Sequence, residues 1–319
     1  MIEAVNIQKN FVRSRKWFRK STGASVVEAV KCLSFEIQPG EFVGFLGPNG
    51  AGKSTTIKMM TGILHPSAGR VSVAGLSPQR NRTELAKQIG IVFGQRTQLW
   101  WDLPLSESFR ILQAMYSVPK AEHRQRLLQL TELLDLDAFC GTPVRQLSLG
   151  QRMRGELAAA LLHRPKVVFL DEPTIGLDIT AKLAVRRFLK TLNREYDATI
   201  ILTTHDMADV EELCDRIIVI NQGEKVFDGG LDRLHEQVGI PSALSVRFRT
   251  SPNLVHIAEN PQLQVTLIDD DVTAFVQFNR ARISAVETME WLRRAGDIVD
   301  FSMQEPRLET IIQEIYAGR

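Results

Sequence analysis

Gly47-Pro48-Asn49-Gly50-Ala51-Gly52-Lys53-Ser54-Thr55 fits the pattern GxxxxGK[ST], which chance would place in a chain of this length about once in a hundred sequences. Its flanks stand in the order such a loop needs. Glu41-Phe42-Val43-Gly44-Phe45-Leu46 reads as a buried strand, and Thr55-Thr56-Ile57-Lys58-Met59-Met60 reads as the first turns of a helix. Gly47, Gly50 and Gly52 allow φ values that other residues resist, so successive N–H groups can turn inward around phosphate oxygens. The helix N-terminus adds its partial positive charge. Lys53 is placed to reach β- and γ-phosphates, and the Ser54 hydroxyl to ligate Mg²⁺. A tight turn alone does not account for Lys-Ser at this register.

The rest of the composition sets limits around that loop. At 319 residues, 44% hydrophobic and 24% charged, the chain has room for one large domain and a small one. A net charge of +2 argues against wholesale nucleic-acid binding. Cys32, Cys140 and Cys214 are odd in number and form no CxxC pair, which suggests neither a disulfide framework nor a zinc site and fits a reducing compartment. Met1-Ile2-Glu3-Ala4 leads into no apolar core, so no secretory signal is expected. No apolar run reaches the 18 residues a membrane span needs, so any membrane role comes through a partner or through peripheral contact.

Residues 1–12 and then Val26 to Gln38 read as strands, the second ending at Pro39-Gly40. Between them lie Arg13, Arg15, Lys16, Trp17, Phe18, Arg19 and Lys20. They read as a lengthened, solvated hairpin loop, with contact to anionic headgroups or a partner subunit as the alternative. Val71 to Gly75 and Ile89 to Phe93 read as further strands, the latter running into Gly94-Gln95. From Trp100 the pattern turns helical. Leu127, Leu130, Leu133 and Leu134 share helical spacing behind a polar start at His123 to Arg126. Trp100 and Trp101 fit burial in this layer or a partner-facing surface.

Leu147-Ser148-Leu149-Gly150-Gln151 opens another helix. Ser148 and Gln151 stand in capping-box relation, with Met153, Leu157 and Leu161 on one face behind them. This is a second helix N-terminus that small residues leave accessible to an anion. Val167-Val168-Phe169-Leu170-Asp171-Glu172 is an apolar strand ending in two carboxylates. Near phosphates, Asp171 is the candidate for the Mg²⁺ shell and Glu172 for the base that handles water. Thr199 to Thr204 is a strand that delivers His205 to its C-terminal end, where open α/β sheets bind ligands, so contact with a γ-phosphate is expected.

The nucleotide-binding pattern ends near Gly229-Gly230. A helical connector leads to Pro241. Beyond it, Leu244/Val246/Phe248, Leu263/Val265/Leu267 and Ala274/Val276/Phe278 alternate as strands do. A helix from Ile283 to Arg294, a strand from Ile298 to Met303 and a final helix striped by Leu308, Ile311, Ile312 and Ile315 follow. This small α+β domain carries little clustered polar chemistry and reads as regulatory or dimer-stabilising.

Residues 1–230 resemble the ATP-binding subunit of an ABC transporter, on several ordered motifs at once. Gly47 to Thr55 matches the Walker A loop, Gln95 the Q-loop glutamine, Leu147 to Gln151 the signature, and Val167 to Glu172 the Walker B strand with its catalytic glutamate. Gly176-Leu177-Asp178 matches the D-loop and His205 the switch histidine. The resemblance implies a P-loop NTPase (RecA-like) α/β core with an antiparallel β layer and a helical subdomain at about residues 100–158. A linker at 231–242 and a C-terminal α+β domain at 243–319 complete the expectation. It implies ATP and Mg²⁺ as cofactors, Gln95 and Ser54 beside Asp171 at the metal, and Gln95, Glu172 and His205 in catalysis.

It also implies a head-to-tail dimer of two ATP-binding subunits, a homodimer being the simplest. Ser148, Gly150, Gln151 and Asp178 of one subunit would close over ATP held by Lys53 of the other. The partner would be a transmembrane permease gripped near Gln95 and Leu99-Trp100-Trp101-Asp102, at the cytoplasmic face of the membrane, with no nucleic acid involved. Leu149 stands where a glycine is usual, a variant similar to the ABC-2 and drug-export group, and Ile175 replaces the usual serine of the D-loop. Glu305 to Glu309 resembles a carboxy-terminal appendage of that group and favours export. Spacing puts Ala24 where an adenine-stacking aromatic is customary, leaving Phe11, Trp17 or Phe18 to substitute. The competing class is an ABC ATPase that works on a macromolecular partner other than a permease.

Overall fold

Residues Phe42–Leu46, the strand ahead of the glycine loop, are buried along their whole length, with Phe42 and Phe45 at 1% exposure or less. A strand buried on both faces belongs inside a parallel sheet covered on each side, and that is where it lies. The computed structural model describes residues 1–13, 25–94, 96–238, 241–253, 255, 259–267, 272–280, 282–304 and 306–317. These divide into two compact units, Met1–Gly229 and Gly230–Arg319.

In the first unit the strands are β1 (Ile2–Arg13), β2 (Ser25–Ile37), β3 (Phe42–Leu46), β4 (Ala68–Val73), β5 (Ile89–Phe93), β6 (Val167–Asp171), β7 (Thr199–Thr203), β8 (Arg216–Asn221) and β9 (Glu224–Gly229). A six-stranded sheet runs β5-β6-β7-β3-β8-β9, parallel except for the β8/β9 pair. Phe93 pairs with Asp171, and Asp171 with Thr203, so the C-terminal ends of β5, β6 and β7 come out level, with β3 next in order. That edge is where an open α/β sheet places its ligand. A three-stranded antiparallel sheet, β2-β1-β4, forms the second layer. One core of Ile2, Ile7, Leu33, Phe35, Phe45, Ile57, Met59 and Phe169 joins the two layers. Full burial contributes about 1.5–3 kcal/mol for each such large apolar side chain.

The helices of this unit are α1 (Lys53–Met60), α2 (Arg82–Ala86), α3 (Leu105–Met115), α4 (Lys120–Leu134), α5 (Leu149–Leu161), α6 (Ile179–Tyr196) and α7 (Met207–Leu213). Helix α5 begins with the reciprocal capping box expected from Ser148 and Gln151: Gln151 N donates to Ser148 Oγ at 3.2 Å and Ser148 N to Gln151 Oε1 at 2.9 Å. Helix α4 differs from the expectation. Its buried face is His123, Arg126, Leu130 and Leu134, while Leu133 is 39% exposed. The polar start is therefore the inner face, because Arg126 Nε reaches Leu161 O at 3.3 Å and its guanidinium lies 5.0 Å from the Tyr196 ring.

The second unit starts with α8 (Leu231–Val238) and continues through β10 (Ser242–Phe248), β11 (Leu263–Leu267), β12 (Thr273–Phe278), α9 (Ala285–Ala295), β13 (Ile298–Gln304) and α10 (Leu308–Ala317). Its antiparallel sheet, β11-β12-β10-β13, packs Leu244, Val246, Phe248, Val276 and Phe278 against Ile283 and Leu292. Ser284 and Glu287 make a second capping box at the start of α9. Helix α8, within the stretch read from sequence as a linker, packs on α10.

Candidate active site

The loop between β3 and α1 has the backbone that its glycines were expected to provide. Gly50 has φ 83° and Gly52 φ 107°, both left-handed. A Cβ at Gly52 would stand 2.5 Å from Ala29 O, and one at Gly47 2.2 Å from Ile220 O, so neither position has room for a side chain. Helix α1 has no side-chain cap at Gly52, which leaves its first-turn N–H groups facing the loop. Lys53 is 8% exposed, and Nζ donates to Gly47 O and, at 3.1 Å, to Pro48 O. Burial pulls this ammonium below its ordinary pKa, against the opposing pull of Glu172 and Asp171. A buried cation held by loop carbonyls, at a helix start with no side-chain cap, is matched to a phosphate chain. The residues present thus fit a nucleoside triphosphate.

Ser54, Lys58, Ile63, Phe93, Gly94, Arg96, Asp171 and Glu172 line a cavity of about 310 Å³. It gathers the Ser54 hydroxyl and the Asp171 carboxylate, hard oxygen donors of the kind Mg²⁺ takes together with phosphate oxygens. Asp171 sits at the end of β6, where Oδ1 accepts the Thr203 hydroxyl at 2.5 Å. Glu172 follows in a left-handed conformation, φ 56°, which is uncommon outside glycine. Its own N–H donates to Thr203 O at 2.9 Å. The turn aims the carboxylate at His205, whose Nε2 lies 3.1 Å from Glu172 Oε1. The side chains are 24% and 48% exposed, so this pair faces the open end of the sheet and can reach water.

Gln95 lies outside the described residues, as do residues 14–24 with Trp17, Phe18, Ala24 and most of the basic stretch. Phe11 is described. It pairs with Val27 at the far end of β1, 41% exposed, two residues along β2 from Ala29, whose carbonyl abuts Gly52. Of the three aromatics proposed for the adenine, Phe11 is the one among the described residues. Trp100 is half-buried, with its backbone N–H donating to Ser108 Oγ at 3.1 Å, whereas Trp101 is 49% exposed with the Arg152 guanidinium 5.7 Å from its ring.

Ser148, Gly150, Gln151 and Asp178 do not line the cavity. They gather instead at the adjoining N-terminal ends of α5 and α6. A Cβ at Gly150 would meet Ala181 Cβ at 3.0 Å, one at Gly176 would meet Leu149 Cδ2 at 3.0 Å, and Asp178 caps α6 through Ala181 N at 2.8 Å. One chain therefore carries two separate sets of candidate groups.

Two buried carboxylates escaped the reading of the sequence. Glu156, 4% exposed on α5, accepts the Thr97 hydroxyl and, at 3.2 Å, the Gln98 N–H. Burial raises its pKa against hydrogen bonds from Thr97 and Gln98 and the charge of Arg152. Its position three residues after Met153 and one before Leu157 was the available signal. Asp209, 0% exposed on α7, lies four residues past His205.

A family profile described as ABC transporter matches residues 30–175. The ABC transporter ATP-binding protein NatA of Bacillus subtilis (strain 168) is 36% identical over 211 residues, 66% of this chain and 85% of its own length. The linearmycin resistance ATP-binding protein LnrL of the same strain is 34% identical over 239 residues, 75% of this chain and 72% of its own. Nod factor export ATP-binding protein I of Burkholderia pseudomallei (strain 1710b) is 40% identical over 197 residues, covering 62% and 64%. Among solved structures, a dimeric ATP-binding cassette in a post-hydrolysis state with ADP and Pi superposes with a TM-score of 0.62 at 29% identity, covering 72% of this chain and 99% of that one.

Proposed function

The chain belongs to the ABC transporter ATP-binding proteins, a family of ATPases with the P-loop NTPase fold, and from that premise we propose that two copies of it enclose ATP to drive a separate transmembrane permease in export. The observation that carries the reading is the cavity where Ser54, Asp171 and Glu172 meet at the level ends of β5, β6 and β7, with His205 on Glu172. Beside it, in the loop ahead of Ser54, Lys53 exchanges the carbonyls of Gly47 and Pro48 for phosphate oxygens, and the N–H groups from Gly47 to Thr55 wrap the phosphate chain. Ser54, Asp171 and Gln95 would hold Mg²⁺, which when bound neutralises charge on the phosphates. Glu172 orients the attacking water and takes its proton, while His205 holds the carboxylate and reaches toward the terminal phosphate. Phe11 stacks on the adenine.

Ser148, Gly150, Gln151 and Asp178 lie apart from the cavity within one chain, which supports their serving ATP across a head-to-tail dimer. Export is supported by relatives named for linearmycin resistance and Nod factor export. Among the described residues no helix is long and apolar enough to cross a membrane. A membrane role at the cytoplasmic face then runs through the permease, gripped near Trp101. Residues 1–230 form the cassette in this reading, with 243–319 an accessory domain. The test is co-purification of the full chain from membranes with a polytopic protein that stimulates its ATPase. Loss of that ATPase in Lys53→Ala is expected, and unaltered turnover in Lys53→Ala overturns the proposal.

A further inference from the structure

We propose that Asp209 is a positioning residue that fixes the Glu172–His205 pair by gripping the chain on both sides of it. Its Oδ2 accepts two hydroxyls, Thr174 Oγ1 at 2.5 Å and Thr204 Oγ1 at 3.0 Å. Thr174 lies two residues after Glu172, and Thr204 immediately precedes His205. Both threonines are at 5% exposure or less. One carboxylate oxygen thus ties together the two loops that bring base and histidine to 3.1 Å.

The other oxygen is anchored from outside. Oδ1 takes Arg186 Nε of α6 at 2.5 Å, and Arg186 in turn reaches Asp206 and Glu212, each at 3.4 Å. Lys182 holds Asp206 at 2.6 Å and Lys190 holds Glu212 at 3.1 Å. A carboxylate at 0% exposure carries a large desolvation cost, which such full satisfaction offsets. An Arg–Asp staple between α6 and α7 would need Oδ1 alone. The convergence of two loop hydroxyls on Oδ2 is extra to it, and both loops flank the reacting groups.

The backbone gives a reason for the grip. Glu172 at φ 56° is in a conformation that non-glycine residues keep only where the surroundings impose it. Glu172 N on Thr203 O fixes one side of that residue, and Thr174 on Asp209 fixes the other. Beyond Thr174 the chain turns through Leu177 N to Thr174 O at 3.2 Å, reaching Gly176 beside Leu149. The same grip therefore relates the histidine loop to the start of α5.

This inference rests on the reading that Glu172 handles the attacking water. Thr174→Val removes one hydroxyl at nearly constant volume and leaves the Asp209–Arg186 ion pair in place. In the purified full chain we expect kcat to fall by about tenfold to a hundredfold, the scale of a displaced catalytic group. ATP affinity and melting temperature stay near wild type, and Thr174→Ser restores the rate. In a Glu172→Gln background the same substitution costs less than twofold, because it acts through the group already removed. Wild-type kcat in Thr174→Val, an unchanged fold-loss in the Glu172→Gln background, or a loss tracking melting temperature and affinity overturns the proposal. The parent reading fails separately, if Glu172→Gln alone keeps wild-type turnover.

Discussion

Replacing Glu172 by Gln changes one charge and almost no volume, and the structure separates its effect on stability from its effect on turnover. The pair with His205 spans 3.1 Å with both partners open to water, 24% and 48% exposed. Exposed pairs of this kind contribute about 0–1 kcal/mol. For a folded unit of this size that amounts to a shift of roughly 2–4 °C in melting temperature at most. Removing a general base costs about 10²- to 10⁴-fold in rate, which is about 2.7–5.4 kcal/mol in activation free energy. The kinetic effect exceeds the structural one several-fold. Glu172 is also one of two carboxylates whose charge is felt at Lys53. A triphosphate entering beside Ser54 meets less repulsion without it, so ATP affinity holds or rises. The assay is phosphate release at saturating ATP, run with ATP titration and thermal melting on the same preparation. Turnover within fivefold of wild type refutes the role of Glu172, and so does a lost rate accompanied by lost ATP binding.

Phe11→Ala should leave folding intact, since the ring is 41% exposed, and weaken ATP and ADP by about 5- to 150-fold, the range of base–aromatic stacking at 1–3 kcal/mol; tripolyphosphate affinity stays constant, and an equal loss for all three refutes the stacking. Gly47→Ala and Gly50→Ala should rank in that order of severity by urea melts and ATP binding. The first drives a Cβ to 2.2 Å from Ile220 O, whereas the second meets nothing within 4 Å and bears only the strain of φ 83°, on the order of 1 kcal/mol. Equal damage from the two sinks this account of the loop. Glu156→Gln should change the pH dependence of stability. Burial raises the Glu156 carboxyl, so the folded chain holds that proton to higher pH than the unfolded chain. Its contribution is full below the ordinary carboxylate pKa and is lost as pH rises through the raised value. The unfolding free energy of the Gln variant minus wild type therefore grows as pH rises above the ordinary carboxylate pKa, and a flat difference by urea titration refutes the assignment.

The parts of the site legible in the sequence are those whose chemistry is local. Walker loop, Asp171-Glu172 and His205 each follow an apolar strand directly, so strand, turn and polar group can be read together in a few residues. The buried carboxylates were not legible, because a lone acid on a helix reads as solvated until its partners are known. Glu156 meets Thr97 at a separation of 59 residues and Asp209 meets Thr174 at 35. The left-handed turn at Glu172 has no sequence signal of its own either, since it is imposed by contacts on each side. For the fold, alternation located the strands of the second unit, while the order β5-β6-β7-β3-β8-β9 depends on crossovers that no local pattern states. Helix α4 shows the limit of periodicity. Counting leucines put Leu133 inside, whereas buried hydrogen-bond partners turned Arg126 inward instead.

Two of the departures from the family pattern, Leu149 and Ile175, become one feature once the structure places them. Leu149 and Ile175 lie 26 positions apart in sequence, yet Leu149 packs on the Gly176 that follows Ile175. They are 36% and 43% exposed, and Ile179 and Leu183 on α6 add side chains at 78% and 40%. These apolar groups surround the helix starts that carry Ser148, Gly150 and Asp178. In the head-to-tail dimer proposed above, that face would meet the phosphate loop of the second copy, and Leu149 and Ile175 would be buried there. Each large apolar side chain removed from water contributes about 1.5–3 kcal/mol when coverage is complete. Burial of this kind is insensitive to salt, whereas the attraction of helix ends for phosphate is screened by it. The same face would then combine an apolar rim that favours association with a polar centre that recognises the nucleotide, so in the proposed dimer the rim would set how tightly two copies hold and the nucleotide when they close.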